Sequence, residues 1–369
     1  MISPLGRAAL TLDLLSVGVR KWDVAVLLES PQELETASQE RLDQLFSGAA
    51  STGGCHVTTA DRDLALEKAD AEIAELKGIG ASIVTFFDGP QHYPGRLLEC
   101  YRPPLFLEIL GDPSVLQKDC IAIVGSRKPT PEGVAIASDF AMQLAEAGLV
   151  IVSGLAYGID KAAHLGSLKA QGETIAVLGS SIDEVYPTSH GAIADNIATS
   201  GAVVSEFHLH TQPTVYTFPQ RNRVISGLSL GVLVVEAAKQ SGSLLTANFA
   251  LEQNREVFAI PGSIYAPQHV GTNALIKTGA KLVQCVQDIL EELPGPTAKN
   301  GKGGVLDAQL SAQEQDVITC IEAGYVSVDL MCQHLSHSAP QILSVLTGLE
   351  LRGLVVRQGP DTFSLVSGH

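Results

Sequence analysis

Two short cationic segments, one lysine and the glycines and serines around them carry the chemistry that stands out in this chain. Arg127 follows Gly125-Ser126, and Lys239 precedes Ser241-Gly242-Ser243. Arg221-Asn222-Arg223 follows Phe218-Pro219, a proline suited to a helix start. Cations beside Gly/Ser turns suit phosphate. The side chain supplies charge, and the free N–H groups of a turn or helix start supply donors. Arg221 and Arg223 lie two apart and cannot share one helix face. One is expected to meet phosphate, and the other to pair with an acid, Glu206 or Glu236. Asn222 is expected to cap or bond a loop backbone.

Each Gly/Ser turn follows a short apolar run rich in β-branched residues. Strands are expected at 121–124, 149–152, 174–178, 202–204, 231–235, 256–260 and 281–283. Helices are expected between them, over 131–147, 159–171, 189–200, 219–228, 243–254 and 272–279. The strands lack in–out alternation, which points to a parallel sheet covered on both faces. The fold class is α/β: an extended Rossmann-like, doubly wound parallel sheet. Such sheets bind ligands at the carboxyl ends of their strands, where Gly125-Ser126-Arg127, Ser153-Gly154, Gly179-Ser180-Ser181, Ser205-Glu206, Ser241-Gly242-Ser243 and Gly262-Ser263 all fall.

The flanks read differently. Residues 1–82 show helical spacing at Leu10–Val19, Val24–Leu28, Leu42–Ala50 and Leu64–Leu76, with breaks at Pro31, Gly53-Gly54 and Gly78. A short strand at 83–86 and an extended run at 105–110 open the main domain, residues 83–293. Residues 294–305, Pro- and Gly-rich, form a linker. Residues 306–369 give helices at 313–322, 328–335 and 339–352. A strand pair follows at 354–357 and 362–366 around a Gly359-Pro360-Asp361 turn, the plan of a winged helix.

Composition limits the function classes. The 369 residues carry a net charge of −16, so any polyanion site must be a local basic cluster. Aromatics at 5% argue against broad base-stacking platforms. The six cysteines are scattered without a C-x-x-C pair, as in a reducing compartment with neither disulfide frame nor zinc site. No apolar run approaches the roughly 20 residues that span a bilayer, and no signal peptide is evident, so a cytoplasmic protein is expected. After Gly303 only two basic residues, Arg352 and Arg357, stand against seven acidic ones, so the last domain is expected to contact protein or regulate, not to read duplex DNA.

Other constellations have simpler explanations. Asp160 and His164 are i, i+4 on one helix, with no nucleophile beside them in sequence, and a structural hydrogen bond is expected. His208-Leu209-His210 is too sparse for a metal site. Phe140 and Phe218 are expected in the core. Tyr157-x-x-x-Lys161 mimics a dehydrogenase pair. However, neither the dinucleotide glycine fingerprint nor the ribose-binding acid accompanies it.

The motifs resemble, in order, those of the DprA/Smf family of DNA-processing proteins. They are Ile123–Thr130 (IVGSRKPT), Ser153–Asp160 (SGLAYGID) with Ala163-His164, Phe218–Ser226 (FPQRNRVIS), Glu236–Ser243 (EAAKQSGS) and Ala259–Ser263 (AIPGS). The flanking domains resemble that family's helical SAM-like and winged-helix domains. The resemblance implies a non-enzymatic single-stranded DNA-binding protein of natural transformation, which protects incoming strands and helps load the RecA recombinase. It also implies a homodimer formed through the sheet domain, a single-strand-binding protein as a further candidate partner, and no cofactor or metal. Arg127 matches the family's DNA-contacting arginine. The expected DNA contacts are the side chains of Arg127, Lys239, one of Arg221 and Arg223, and Asn222. Backbone groups of Gly125, Ser126, Ser153, Gly154, Ser241, Gly242 and Ser243 join them. Family members often carry basic residues where Tyr157 and Thr188 stand here. Fewer phosphate contacts and a shallower salt dependence follow, with Tyr157 placed to stack on a base instead. The alternative class is a nucleotide-processing or nucleotide-sensing Rossmann enzyme, similar to the phosphoribohydrolases. Those carry a Pro-Gly-Gly-x-Gly-Thr loop where this chain has Lys239-Gln-Ser-Gly-Ser-Leu.

Overall fold

A computed structural model of the chain describes residues 5–15, 28, 37–38, 40–42, 45, 57–293, 312–322, 327–335, 338–351, 355–357 and 363–365. The expected helices over 24–28 and 42–50, the linker at 294–305 and the Gly359–Asp361 turn lie wholly or mostly outside these residues. The chain divides into two compact units, Met1–Thr297 and Ala298–His369.

The first unit is built on a nine-stranded sheet. Its described strands are β1 (Ser82–Thr85), β2 (Phe106–Gly111), β3 (Cys120–Val124), β4 (Val150–Ser153), β5 (Thr174–Val177), β6 (Ala202–Ser205), β7 (Gly231–Val234), β8 (Glu256–Ala259) and β9 (Lys281–Leu282). The order is β1-β2-β6-β5-β4-β3-β7-β8-β9. β6 through β9 run parallel, while β2 is antiparallel to β6 and β1 to β2. Among the described residues, the helices of two turns or more are α1 (Gly6–Leu15), α2 (Thr59–Gly78), α3 (Pro131–Glu146), α4 (Ile159–Lys169), α5 (Gly191–Ser200), α6 (Thr217–Leu228), α7 (Ser243–Glu252) and α8 (Val270–Lys277).

Successive residues of one strand serve opposite faces, and both faces are buried. Ala122 and Val124 enter one apolar cluster with Val224, Ile225 and Leu228 of α6 and Ala247 and Ala250 of α7. Ile121 and Ile123 enter another with Phe140 and Leu144 of α3 and Ile159 and Ala163 of α4. This two-sided cover explains why the strands read as unbroken apolar runs.

The chain winds outward from β3 to β6, then returns to the other side of β3 to form β7. The crevice between the carboxyl ends of β3 and β7 is therefore the sheet's topological switch point. Helix α2 is closed at its start by a capping box in which Thr58 and Asp61 exchange hydrogen bonds. Leu10, Leu12 and Ala69 of α1 and α2 pack with Ile83 and Phe106 of the sheet's antiparallel edge.

The second unit holds α9 (Ala312–Glu322), α10 (Val328–Leu335) and α11 (Ala339–Leu351) with an antiparallel pair, β10 (Val355–Arg357) and β11 (Phe363–Leu365). Met331, Leu346, Leu349, Val355 and Phe363 are among its buried core residues.

Candidate nucleic-acid interface

A cleft of about 530 Å³ opens at the switch point. Three segments wall it. The loop after β3 supplies Gly125, Ser126, Arg127 and Lys128, the first turns of α6 supply Phe218, Pro219, Arg221 and Asn222, and the approach to α7 supplies Ala238 and Gln240–Ser243. Two of these walls are fastened together. The Glu236 carboxylate, just past β7, accepts from the Thr130 N–H (3.1 Å) and hydroxyl (2.5 Å). Thr130 in turn caps α3, accepting from the Gly133 N–H at 3.0 Å.

Arg127 is exposed, and its guanidinium carbon lies 4.8 Å from the centre of the Phe218 ring. Such a stacked arginine keeps its edge donors for an anion. Lys128, next to it, is an exposed second cation in the same wall. Ser126 orders this turn by accepting the Lys128 N–H at 3.1 Å. On the facing wall the Ser241 and Ser243 hydroxyls are 2.7 Å apart at the start of α7. Asn222 reaches the Gly242 carbonyl at 3.5 Å, the loop-backbone role expected of it. Gly125 also has an internal reason to be glycine: a Cβ there would come within 2.6 Å of Ile159.

Four expected contacts have other work. Arg221 is buried, and its guanidinium donates to the carbonyls of Gly154 (2.7 Å) and Val177. Burial draws its pKa down to about 10, opposed by the facing charge of Asp160 and aided by Arg127. Arg223 pairs with Glu206 and donates to the Arg102 carbonyl at 2.9 Å, so it takes the acid-pairing role. Ser153 is buried and donates to the Ile123 carbonyl at 2.6 Å, tying β4 to β3. The Gly154 N–H donates to Asp160 at 3.2 Å. These groups tie the sheet edge together from below, and their donors are directed inward. Lys239 is exposed beside the cleft, between Ala238 and Gln240 that line it, while its own side chain is outside the lining.

Tyr157 stands in a smaller recess that shares Arg127, Phe218 and Arg221 with the main cleft and adds Tyr186. Its hydroxyl is 3.1 Å from Ser189, and its ring meets His190 edge-on at 4.9 Å. Tyr186 packs on Phe218 at 5.8 Å. Phe218, expected in the core, is only half-buried and forms cleft wall. Its place immediately before Pro219 at a helix start was the available signal, since helix starts lie at this sheet edge. Lys128 was legible in the same way as Arg127, one residue earlier in the same turn. Phe140 does lie in the core.

Asp160 and His164 part company. Asp160 faces Arg221 and Gly154, whereas the His164 Nδ1 meets the Thr174 hydroxyl at 2.7 Å. Burial, then Arg221 and His190, lowers the His164 pKa to about 3, so the ring is neutral. His208 and His210 each sit between two carboxylates, His208 against Glu72 and Asp13, and His210 against Asp183 and Glu75. Among the described residues, no group of three or more His, Cys, Asp or Glu is placed to hold a metal ion, and no helix is long and apolar enough to cross a membrane.

The fold is that of the doubly wound α/β proteins, whose ligands bind in the crevice at the carboxyl ends of the strands, where this cleft lies. The family described as "DNA recombination-mediator protein A" matches residues 83–294, and "DprA winged helix domain" matches 305–359. The chain belongs to the DprA/Smf family. It is 45% identical to the DNA processing protein DprA of Bacillus subtilis over 205 residues, 55% of this chain and 69% of that one. It is 40% identical to the protein Smf of Escherichia coli over 277 residues, 72% and 73% of the two chains. The crystal structure of DprA from Streptococcus pneumoniae superposes with a TM-score of 0.67 at 32% identity, covering 80% of this chain and 99% of that one. DNA processing protein A from Helicobacter pylori, whose structure is described as giving insights into its single-stranded DNA binding mode, superposes with a TM-score of 0.52 at 30% identity, covering 57% and 94%.

Proposed function

We propose that this protein is a non-enzymatic, cytoplasmic DNA-processing protein that holds single-stranded DNA in the switch-point cleft. It shields incoming strands, passes them to the RecA recombinase, and works as a homodimer through the sheet domain. The observation that carries the reading is the cleft itself. An acidic chain places Arg127 and Lys128 side by side where its sheet offers loop and helix-start donors. The single-stranded DNA binding mode described for the Helicobacter pylori relative supports the choice of ligand. The carboxylates beside the cleft argue against the nucleotide-cleaving alternative. Asp160 is committed to Gly154 and Arg221, and Glu236 to Thr130.

The test is filter binding of single- and double-stranded oligonucleotides at two salt concentrations, with the doubly substituted R127A/K128A protein alongside. Single strands should bind in preference to duplex, and the variant should bind any sequence more weakly. Equal binding by the variant would remove the cleft from the account. Release of free base from nucleoside monophosphates would favour the enzymatic alternative.

A further inference from the structure

The tyrosines of the first unit are distributed unevenly. Tyr93 is buried, while Tyr101, Tyr157, Tyr186, Tyr216 and Tyr265 are exposed, three of them almost fully: Tyr101 (81%), Tyr216 (82%) and Tyr265 (89%). All five belong to the edge that carries the cleft. Tyr157, Tyr186 and Tyr265 follow the parallel strands β4, β5 and β8, and Tyr216 ends the connection from β6 to α6. Tyr101 precedes β2, whose antiparallel course brings its start to the same edge. Arg223 fixes that location, since it holds both the Arg102 carbonyl and Glu206, the residue just past β6.

We propose that these rings form a stacking stripe across the sheet edge, along which a bound single strand runs perpendicular to the β-strands, with the cationic cleft in its middle. The proposal rests on the single-strand reading above and adds the path and length of the ligand. The strand order β2-β6-β5-β4-β3-β7-β8 puts Tyr101 toward one side of Arg127 and Tyr265 toward the other. Tyr216 stands two residues before Phe218, which packs on Tyr186 beyond β5, on the Tyr101 side. Six strand spacings amount to roughly 29 Å, which is room for up to about eight nucleotides at the rise of B-form DNA and fewer for a stretched strand.

Two features favour nucleic acid over a protein partner. A guanidinium lies 4.8 Å from a ring centre twice on this edge, Arg102 over Tyr101 and Arg127 over Phe218, so a surface for a base and a charge for a phosphate recur together. Second, the protein is strongly acidic, with few cations at the cleft. Contacts that do not depend on charge are what such a surface needs to hold a polyanion. The low aromatic content of the chain counts rings without showing where they lie.

The experiment compares oligothymidine of about four nucleotides, enough for the cleft, with one of about twelve, enough for the stripe. Labelled strands are titrated with the full-length protein, the triple variant Y101A/Y216A/Y265A and its Y101F/Y216F/Y265F counterpart. Each ring is exposed, so the substitutions should leave thermal unfolding unchanged. The triple alanine variant should lose about tenfold or more in affinity for the long strand and nothing for the short one. Its salt slope should be unchanged, because stacking releases no counterions. The phenylalanine variant should bind as wild type. Long-strand affinity unaltered by the alanines would overturn the stripe while leaving the cleft intact. So would an unaltered affinity accompanied by a shift in sedimentation, which would make this edge a protein interface. Failure of the short strand to bind wild-type protein would overturn the cleft and the stripe together.

Discussion

Arg221 donates a 2.7 Å hydrogen bond to the carbonyl of Gly154, 67 residues earlier in the chain, and its charge is spent inside the sheet edge. A Cβ on Gly154 would come within 2.6 Å of the same guanidinium. The arginine also faces buried Asp160, so it joins α6 to β4, β5 and the start of α4 from inside. Removing one partner of a buried charge pair leaves the other uncompensated, which costs about 3–5 kcal/mol. Arg221→Ala should therefore lower unfolding stability by an amount in that range, measured by denaturant titration. Arg221→Lys should recover only part, because an ammonium cannot reach both carbonyls in the fork geometry.

Arg127 and Lys128 are exposed and hold no comparable internal role, so their removal should act on binding alone. For single strands, each neutralised phosphate contributes about 0.7 to the slope of log affinity against log salt. Arg127→Ala and Lys128→Ala should each flatten the slope by up to that amount, with unfolding unchanged. Lys239→Ala, whose side chain lies outside the cleft lining, should have the smallest effect of the three. A Lys239 variant that flattened the slope most would place the phosphate track on the α7 side.

The sheet was legible because burial on both faces writes itself into sequence as short apolar β-branched runs, and Gly/Ser turns mark where each ends. The expected strand at 121–124 and the observed β3 at Cys120–Val124 differ by one residue. The site was legible only to the level of its loops. Arg127, Arg221 and Arg223 look alike in sequence, and what separates them is depth: Arg127 lies on a loop, Arg221 points into the sheet edge, and Arg223 finds Glu206 across the chain. Glu206 was one of two acids expected to pair with an arginine, but which arginine it meets is set by tertiary depth and leaves no local trace. Phe218 shows the converse, since an aromatic residue beside a helix start is assigned to the core unless the edge it occupies is known.

The packing of the N-terminal helices on the sheet should weaken in alkali. His208 is held between Glu72 (2.8 Å) and Asp13 (3.3 Å). Burial works against its charge, but the two carboxylates outweigh it and raise the pKa to about 9. Burial, with the neighbouring Glu72 charge, also pushes Glu108 up to about 9, so its carboxyl is protonated at neutral pH. Both folded pKa values lie above the unfolded ones, so the native state binds more protons than the unfolded state. Stability is then lost as pH rises, from about 6.5 to 9 for His208 and from about 4.5 to 9 for Glu108. Unfolding free energies measured by denaturant titration from pH 7 to 9 should fall, at up to about 1.4 kcal/mol per pH unit per proton. Glu108→Gln should flatten that fall, and His208→Gln should remove most of the remainder.

Gly166 offers a case where helix propensity and packing have opposite signs. It lies inside α4, where alanine is ordinarily favoured over glycine by about 1 kcal/mol. Yet a Cβ at this position would come within 2.3 Å of the Ser138 carbonyl oxygen on α3, a backbone atom that cannot swing aside as a side chain would. The two helices meet over the sheet face formed by Ile121, Ile123 and Ile151, and separating them would open that apolar layer. Overpacking of this kind costs about 1–3 kcal/mol. Gly166→Ala should therefore lower the melting temperature despite the gain in propensity. Gly148, at φ +91° with open space around its Cβ position, should also resist alanine, but through backbone strain rather than collision. A Gly166→Ala protein more stable than wild type would show that α3 and α4 can slide apart at little cost, and that the close approach is incidental to the fold.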